Sequence, residues 1–455
     1  MKKLIKTYLF LFFFYSLSAQ DNTFVKNLNK ILDDSVVVIK PKIFLLNYGG
    51  STISGNTYLL GLKCNINVNE KLSISSDLDY LDGNHIDVVK IYKDSLDILP
   101  GFGNKKNRFL FNINYNLNRI FKIDYGQGKN FIGHGYRSLI LSNESSHYPF
   151  LRISTNLNKI KYYNIYSTLT NPWVNTFGRK KHAAIHFLDF NINSNFSFGL
   201  FEAVLWQSKT EDRNVGYEIA YLNPIIFYRP VEYSMGSNKG NALMGAITKI
   251  NYKRYKIYAQ ILLDDINISR QKSSDPDNYQ SGFFQNKFGY QIGSIFENKN
   301  LYFNLEYNQV QPYTYGHRTI LQNYSHMNQS LAHPLGANFK EIINIFSYEK
   351  GNYKFILKNL FVNIGMDSLN THYGQNIFNS DYDASTGGQA SYGNVNGQGV
   401  NTNVILIMPE ISYKFKYFDF FSSIYYLKKK SDLIDQTSIN FMLGIRNIPF
   451  SLFPF

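Results

Sequence analysis

The sequence has few of the features that stabilise soluble exported proteins. It contains one cysteine, Cys64, so no internal disulfide can form, although small secreted domains often depend on disulfides. Charged residues make up only 18% of the 455 residues. After residue 19 there is no apolar run of the roughly 20 residues that a transmembrane helix needs. These absences exclude a disulfide-rich secreted fold and a helical membrane protein.

The residues that are abundant favour strands and turns. The chain holds 37 Phe, 36 Tyr, 31 Gly and 53 Asn, and aromatic residues make up 16% of it. A disordered chain would lack so many aromatic residues. Tyr and Phe are enriched in strands, whereas Gly and Asn are enriched in turns. The composition therefore predicts an all-β protein.

The N-terminus has the pattern of a secretory signal peptide. Lys2, Lys3 and Lys6 precede a short apolar block at 8–17, and small residues follow up to Ala19. The block is too short to span a membrane as a helix. We therefore expect residues 1–19 to be a signal peptide, residues 20–40 a short periplasmic arm or helix, and residues 41–455 the folded domain.

Many segments of about ten residues alternate between apolar and polar side chains. In 301–310, for example, Leu301, Phe303, Leu305 and Tyr307 share one parity, and Asn304 lies on the other. Side chains two residues apart point to the same face of a strand. Each such segment is thus predicted to be a strand with one apolar face.

Short and long connections alternate between these strands. Short turns are predicted near 69–71, 117–119, 157–159, 193–195, 252–255, 297–300, 350–353 and 416–418. Long connections are predicted at 81–106, 127–149, 169–180, 207–243, 265–286, 311–338, 364–402 and 428–436. This asymmetry is typical of outer-membrane β-barrels. With a first strand near 42–49 and a last near 437–447, the count is eighteen strands, with sixteen as the alternative.

The resulting prediction is a transmembrane antiparallel barrel in the outer membrane of a Gram-negative cell. The terminal Phe455 follows an alternating strand, as in proteins inserted by the barrel-assembly machinery. The net charge of +14 favours contact with acidic glycans or lipid phosphates, including lipopolysaccharide. Nucleic acid is not expected as a partner, because the chain is exported.

The sequence offers no catalytic or metal-binding pattern. There is no Gly-x-Ser-x-Gly elbow, no His-Glu-x-x-His and no pair of cysteines. His182 and His186 share one face of a strand, but no further ligand is evident. We expect no enzymatic activity, no cofactor and no metal.

Three blocks, at 124–152, 221–233 and 306–339, are richer in His, Arg, Pro and Gly than a barrel wall requires. Arginine donates forked hydrogen bonds to carboxylates and phosphates, and aromatic rings pack on sugar faces. The candidate glycan-binding residues in these blocks are Tyr136, Arg137, Arg152, Tyr228, Arg229, Glu232, Tyr313, His317, Arg318 and His333. The alternative interpretation is that these loops fold inward and fill the barrel, with Arg and Glu pairing with each other.

Parts of these blocks resemble the Wzi-like capsule-assembly outer-membrane proteins, a family that includes the gliding-motility barrel RemB. The resemblance rests on 133–139 (GHGYRSL), 222–232 (LNPIIFYRPVE), 317–318 and 331–338 (LAHPLGAN). It implies an eighteen-stranded barrel that attaches or assembles capsular polysaccharide or exopolysaccharide, with a role in surface adhesion or gliding motility. The chain departs from Wzi in having only about 22 residues where Wzi carries a helical bundle.

Three other functions compete with polysaccharide attachment. A porin-like diffusion channel is the main alternative and would have an open lumen. A membrane-embedded enzyme would need a catalytic constellation at one rim. A structural partner of a motility or secretion complex would be recovered with that complex from gently solubilised membranes.

Overall fold

The computed structural model describes residues 36–51, 54–83, 107–171, 180–209, 215–223, 240–266, 284, 286–368, 371–381 and 392–447. The predicted signal peptide, most of the predicted arm and the terminal Phe455 lie outside these residues. The described chain forms twenty strands, of which all but the short β14 and β15 belong to one sheet. No helix within these ranges is long and apolar enough to cross a membrane.

The strands follow each other around the sheet in chain order. They are β1 (Val36–Gly50), β2 (Gly55–Asn67), β3 (Leu72–Gly83), β4 (Asn107–Asn116), β5 (Phe121–Gly128), β6 (Tyr148–Leu157), β7 (Ile160–Thr170), β8 (Lys180–Asn191), β9 (Phe196–Gln207), β10 (Asn241–Tyr252), β11 (Tyr255–Asp265), β12 (Lys287–Glu297), β13 (Leu301–Val310), β14 (Ser325–His326), β15 (Gln329–Ser330), β16 (Phe339–Lys350), β17 (Tyr353–Met366), β18 (Val400–Lys414), β19 (Asp419–Lys430) and β20 (Asp435–Arg446).

The sheet closes on itself through its first and last strands. β1 pairs antiparallel with β20 from Phe44 opposite Arg446 to Gly50 opposite Asn440. Closure leaves the sheet without a first or last edge strand, whose unpaired backbone groups would be costly in the hydrocarbon core of a membrane. The predicted antiparallel barrel of eighteen strands is confirmed.

The eight predicted short turns are also confirmed, but the long connection predicted at 428–436 is a turn of four residues, because β19 extends to Lys430 and β20 begins at Asp435. The eight short turns fall between β2 and β3, β4 and β5, β6 and β7, β8 and β9, β10 and β11, β12 and β13, β16 and β17, and β18 and β19. Asparagine shapes several of them, because its side-chain oxygen can accept backbone N–H groups two and three residues ahead. Asn118, for example, accepts the N–H groups of Ile120 and Phe121, both at 2.8 Å. β1 begins at Val36, five residues before the predicted start of the barrel.

The outward face of the wall is apolar and the inward face is largely polar. In β12, Ile292 is 55% exposed whereas its neighbour Gln291 is 1% exposed. In β20, Phe441 is 61% exposed and Asn440 is 1% exposed. Exposed apolar side chains on a closed barrel form the lipid-facing belt. The barrel is therefore a transmembrane barrel.

Among the described residues, parts of three long connections pack inside the barrel, and the third is the β17–β18 connection, whose Ile377 belongs to the lumen cluster. We name residues 129–147, between β5 and β6, the first inner loop, and residues 311–338, between β13 and β16, the second inner loop. The second contains the hairpin of β14 and β15. Their buried residues, including Leu139 and Leu331, belong to the same apolar cluster as lumen-facing wall residues such as Phe44 and Leu360.

The described part of the connection between β9 and β10 packs outside the lumen. A short 3₁₀ helix, Ile219–Leu222, is part of it. Tyr221 packs on Trp206, with ring centroids 4.8 Å apart, and the Nε1–H of Trp206 donates to the carbonyl of Gly216 at 3.0 Å. Trp206 and Val204 belong to a small cluster separate from the lumen core. This connection therefore covers part of the outer face of the wall.

A charge placed in the apolar belt should prevent stable insertion. Ile292→Arg puts a cation near the middle of β12, and arginine at the bilayer midplane costs ~2–4 kcal/mol in barrels of this kind. We expect a corresponding loss of unfolding free energy, measured by urea titration in lipid vesicles. Ile434→Arg is the matched control, because Ile434 lies in the turn between β19 and β20, and it should change stability little. Equal losses in both variants would contradict the assigned belt.

Candidate functional site

The first inner loop is held by polar side chains of the barrel wall. Glu306 of β13 accepts the backbone N–H groups of Tyr136 at 2.8 Å and Arg137 at 3.1 Å. Gln260 of β11 accepts the N–H of Leu139 at 2.9 Å. An irregular segment inside a barrel has no strand to pair with, so its buried backbone groups need side-chain partners. The polar inward positions of β11 and β13 supply them.

Glu306 is the centre of this attachment. Its carboxylate also accepts the hydroxyl of Tyr258 at 2.6 Å and the amide of Asn308 at 2.9 Å. Gly135 lies against it, and a Cβ there would stand 2.1 Å from Glu306 Oε2 and 2.4 Å from the Tyr258 ring. Glycine is therefore required where the loop backbone meets the wall.

A buried ionic network lies beside this attachment. The Arg137 guanidinium is 3.2 Å from Glu144 and 3.6 Å from Glu341, and neither Arg137 nor Glu341 exposes its side chain. His333 of the second inner loop is 2.6 Å from the other oxygen of Glu341. Removing one member of such a network is costly, because it leaves a buried charge without its partner.

The hydrogen bonds of His333 define its tautomer. Nδ1 accepts the N–H of Leu335 at 3.3 Å, so the proton of the neutral ring is on Nε2 and is donated to Glu341. Burial lowers the pKa of His333, against the opposing effect of the Glu341 charge. Burial also raises the pKa of Glu144, although Arg137 opposes this shift. His333 therefore acts as a neutral donor that holds the second inner loop to β16.

The second inner loop is attached both to the wall and to the first inner loop. Asp264 of β11 accepts the N–H of Tyr315 at 2.7 Å, and the Tyr315 hydroxyl donates to the carbonyl of Leu139 at 2.8 Å. Tyr313 and Tyr315 both have positive φ, 66° and 68°, a conformation that costs ~1–3 kcal/mol in a non-glycine residue. The contacts of the two loops thus hold a strained backbone in place.

A cavity of about 520 Å³ remains between the first inner loop and the short-turn end of the barrel. We call it the vestibule. Tyr136 forms part of its lining, and Lys358 of β17 donates to the Tyr136 hydroxyl at 3.0 Å. Arg446 and Glu410 line the same cavity and pair at 2.5 Å. Among the residues that the structure describes, no carboxylate forms an ion pair with Lys358. Lys358 is thus held through Tyr136 and not through an ion pair, while three cations and three carboxylates line the vestibule in all.

The sequence-predicted site residues do not form one site. Tyr136, Arg137 and His333 meet around Glu306 and Glu341, where Arg137 is 1% exposed and His333 is fully buried. Arg152 lies on β6, where its guanidinium is 2.8 Å from Asp124. Arg137 and Arg152 are thus engaged with carboxylates, as the inward-folding interpretation expects.

The remaining candidates are dispersed. Tyr313 is buried in the second inner loop and donates its hydroxyl to the carbonyl of His372 at 3.0 Å. His317 is partly buried, and burial lowers its pKa to about 4, whereas Arg318 is exposed. Tyr228, Arg229 and Glu232 lie outside the described residues. Glycan binding by any of these residues stays a prediction that the structure does not test.

Three residues that organise the lumen were missed in the sequence. They are Glu306, Glu341 and Lys358, charged residues at inward positions of the neighbouring strands β13, β16 and β17. The available signal was a single charged residue among the inward-facing residues of a predicted strand, since such a charge needs a partner inside the barrel. Within the described ranges, no group of three or more His, Cys, Asp or Glu residues could hold a metal ion.

Comparisons with known proteins give no family. No family model matches the chain, and no curated protein matches it. Similar solved structures include three proteins of Pseudomonas aeruginosa. OprD has a TM-score of 0.48 and 10% identity, covering 91% of this chain and 95% of that one. OccK3 (OpdO) has 0.49 and 8%, with 94% and 98% covered. OccK5 (OpdH) has 0.48 and 7%, with 92% and 99% covered.

These findings correct the resemblance to Wzi-like proteins. The predicted membership of that family, with its branch RemB, was wrong, because no model of it matches and the similar structures named above are OprD and Occ proteins. The predicted functions in capsule assembly, polysaccharide attachment and gliding motility are withdrawn with it. The quoted blocks 133–139 and 331–338 instead supply residues that pack two loops inside the lumen, such as Gly135 and His333.

Loss of the Glu306 carboxylate should release the first inner loop. Glu306→Ala leaves two buried N–H groups without an acceptor, at ~1–3 kcal/mol each. We expect trypsin to cleave after Arg137 at least ~10-fold faster than in wild type, since 1.4 kcal/mol corresponds to a factor of ten. Glu410→Ala is the control, because Glu410 pairs with Arg446 and not with the loop. Unchanged cleavage in a folded Glu306→Ala barrel would contradict the attachment.

Acid should loosen the hairpin of β14 and β15. His326 Nδ1 accepts the N–H of Thr170 at 3.0 Å, and burial lowers the pKa of His326 to about 3. The released imidazole, with a pKa near 6.5, binds protons more readily, so attachment is fully present above pH 6.5 and weakens as the pH falls toward 3. Deuterium exchange of 325–330, corrected for intrinsic rate, should rise between pH 7 and pH 5. In His326→Gln, which keeps an acceptor, that rise should be smaller.

Proposed function

We propose that this protein is a porin-like diffusion channel of the outer membrane that passes small polar solutes. The observation that carries the proposal is the vestibule, a cavity inside the lumen that the two inner loops do not fill. In this function the inner loops are the constriction of the channel rather than a glycan-binding surface.

The size of the barrel supports a channel. Side chains fill the interior of barrels of about eight strands, whereas barrels of sixteen to eighteen strands leave an aqueous lumen unless loops narrow it. Here the first inner loop reaches the middle of the wall, where Tyr136 meets Lys358. A channel narrowed at one level selects solutes by the groups at that level.

The groups at that level favour anionic solutes. Lys358 presents an ammonium and Tyr136 a hydroxyl to the vestibule, and both can donate hydrogen bonds to a carboxylate. The other lining charges lie nearer the short turns, where Lys354 pairs with Glu349, Arg446 pairs with Glu410, and Glu297 adds a third carboxylate. We therefore propose small carboxylates as the preferred solutes, with Lys358 as the residue that sets the preference.

The surroundings of the protein follow from the same proposal. We keep the predictions of a signal peptide and of a location in the outer membrane of a Gram-negative cell. Lipid and lipopolysaccharide are then the neighbours of the barrel, and the barrel-assembly machinery is its insertion partner. A secretion complex remains an untested prediction. The protein is proposed to be non-enzymatic, because a diffusion channel needs no reacting group.

Single-channel recording in planar bilayers tests the proposal. We expect stepwise conductance in KCl and a reversal potential in a salt gradient that indicates preference for chloride. Lys358→Gln should reduce the anion-to-cation permeability ratio ~2-fold or more, because a charge within the Debye length of ~8 Å acts on passing ions. Lys354→Gln is the control, since Lys354 already pairs with Glu349.

Two outcomes would count against the channel. If neither the wild-type barrel nor the Glu306→Ala variant, in which the first inner loop is released, conducts ions, diffusion through the lumen is excluded. Conductance with the same ion preference in wild type and Lys358→Gln would leave the channel standing but remove Lys358 from its selectivity.

A further inference from the structure

The barrel wall is incomplete beside the first inner loop. β3 and β4 pair over nine residues, up to Tyr80 opposite Asn107. β4 and β5 pair over only five residues, from Asn116 opposite Lys122 to Asn112 opposite Gly126. Among the described strands, residues 107–111 of β4 therefore have a neighbour on the β3 side and none on the β5 side.

The gap exists because the chain leaves the wall to form the first inner loop. β5 ends at Gly128 and β6 begins opposite it at Tyr148. β7 continues to Thr170, where it pairs with β8. This gap, which we call the notch, is therefore two strands wide and lies between the ends of β4 and β7 that are nearer the long connections.

The notch lies at the depth of the lipid-facing belt. Leu62, Leu78 and Phe109 stand side by side in register on β2, β3 and β4, and they are 50%, 41% and 48% exposed. Nearer the long-connection end, the hydroxyls of Tyr58 and Tyr80 donate to Asp82 at 3.1 and 2.9 Å. Tyrosines in such positions mark the membrane interface, so Phe109 lies on the hydrocarbon side of it.

A cavity of about 1100 Å³ occupies the notch, and we call it the alcove. Its lining combines lipid-facing residues such as Leu78 and Phe109 with lumen-facing residues such as Asp79 and Arg108. Because residues of both faces line one cavity, the alcove extends from the lipid-facing side of the wall to the inner loops behind it. Its volume slightly exceeds the ~300–1,000 Å³ of ordinary ligand pockets.

The second inner loop forms the inner wall of the alcove. Met327 donates its N–H to the carbonyl of Thr170 at 2.8 Å, and His326 accepts the N–H of Thr170. Ser146 of the first inner loop donates its hydroxyl to Gln329 at 3.1 Å. These contacts join both inner loops behind the gap, so the alcove is a pocket facing the lipid with a closed inner wall.

The polar part of the alcove has balanced charge. Asp79 pairs with Arg108 at 2.5 Å and with Lys42 at 2.7 Å, and Lys42 also pairs with Asp77 at 2.7 Å. Of these four residues only Asp79 and Arg108 line the alcove, and their opposite charges leave no net charge to attract an ionic head group. They offer donors and acceptors to a head that is uncharged or carries both signs.

We propose that the alcove binds a single-chain amphiphile that approaches from the lipid, with its apolar chain along Leu78 and Phe109 and a zwitterionic or uncharged head beside Asp79 and Arg108. The site does not depend on conduction through the lumen. A failure of the channel proposal would leave it unaffected.

Photolabelling of the whole barrel tests the site. The probe is lysophosphatidylcholine with a diazirine in its acyl chain, added to barrel held in amphipol, and the labelled peptides are mapped by mass spectrometry. We expect labelling of segments 60–62, 78–80 and 107–111 at least fivefold above other belt segments. Unlabelled lysophosphatidylcholine should abolish the excess, whereas glycerophosphocholine, which has no chain, should not.

Two variants separate binding from general contact with lipid. Phe109→Asp should lower labelling of 60–62 and 78–80 at least fivefold. Phe361→Asp, on the lipid face of β17, should leave it unchanged. If Phe109→Asp does not insert, the competition experiment with wild-type barrel decides alone. Uniform labelling around the belt, or labelling that unlabelled lysophosphatidylcholine does not reduce, would overturn the site. Stronger competition by anionic lysophosphatidylglycerol would overturn the assigned head group.

Discussion

The closed ladder of backbone hydrogen bonds is the constraint on which the rest of this structure depends. Inside a membrane no water is present to satisfy backbone N–H and C=O groups, so the wall must pair them itself. The seam between β1 and β20 completes that pairing. Closure then separates two environments, and each strand must present apolar residues to the lipid and mostly polar ones to the lumen. The alternation in the sequence is the result of this separation.

The same requirement governs the loops inside the barrel. A loop that leaves the wall takes its backbone away from strand partners, and the lumen must replace them. Glu306, Gln260 and Asp264 do this by accepting backbone N–H groups of the two inner loops. Their desolvation is offset by these hydrogen bonds, and in the case of Glu306 also by the Tyr258 hydroxyl. The charged residues in the middle of the lumen are thus primarily structural, and Lys358, which donates to the Tyr136 hydroxyl at the edge of the vestibule, stands out against them.

One departure of the chain from the wall has two consequences. When the first inner loop turns inward after Gly128, it narrows the lumen at Tyr136 and shortens the wall at β5 and β6. The constriction and the lateral notch are therefore linked in geometry, although they face different environments. Residues that join the two inner loops, such as Ser146 through Gln329 and His326 through the His147 carbonyl, also form the inner wall of the notch.

The strands and their order could be predicted from the sequence, because a period of two and asparagine-rich turns act over a few residues. The eighteen strands of the wall and the eight short turns follow from such local patterns, whereas the hairpin of β14 and β15 lies in a segment that was predicted only as a long connection. That loops fold inward was one of the two interpretations of the sequence, but the pairs inside the lumen could not be predicted, since Arg137 is far in sequence from Glu341 and His333 and meets them only inside one closed barrel. The resemblance to capsule proteins failed for the same reason. Glycine, histidine and proline in long loops indicate tight packing, but only the tertiary structure decided that the packing is inside the barrel and what it faces there.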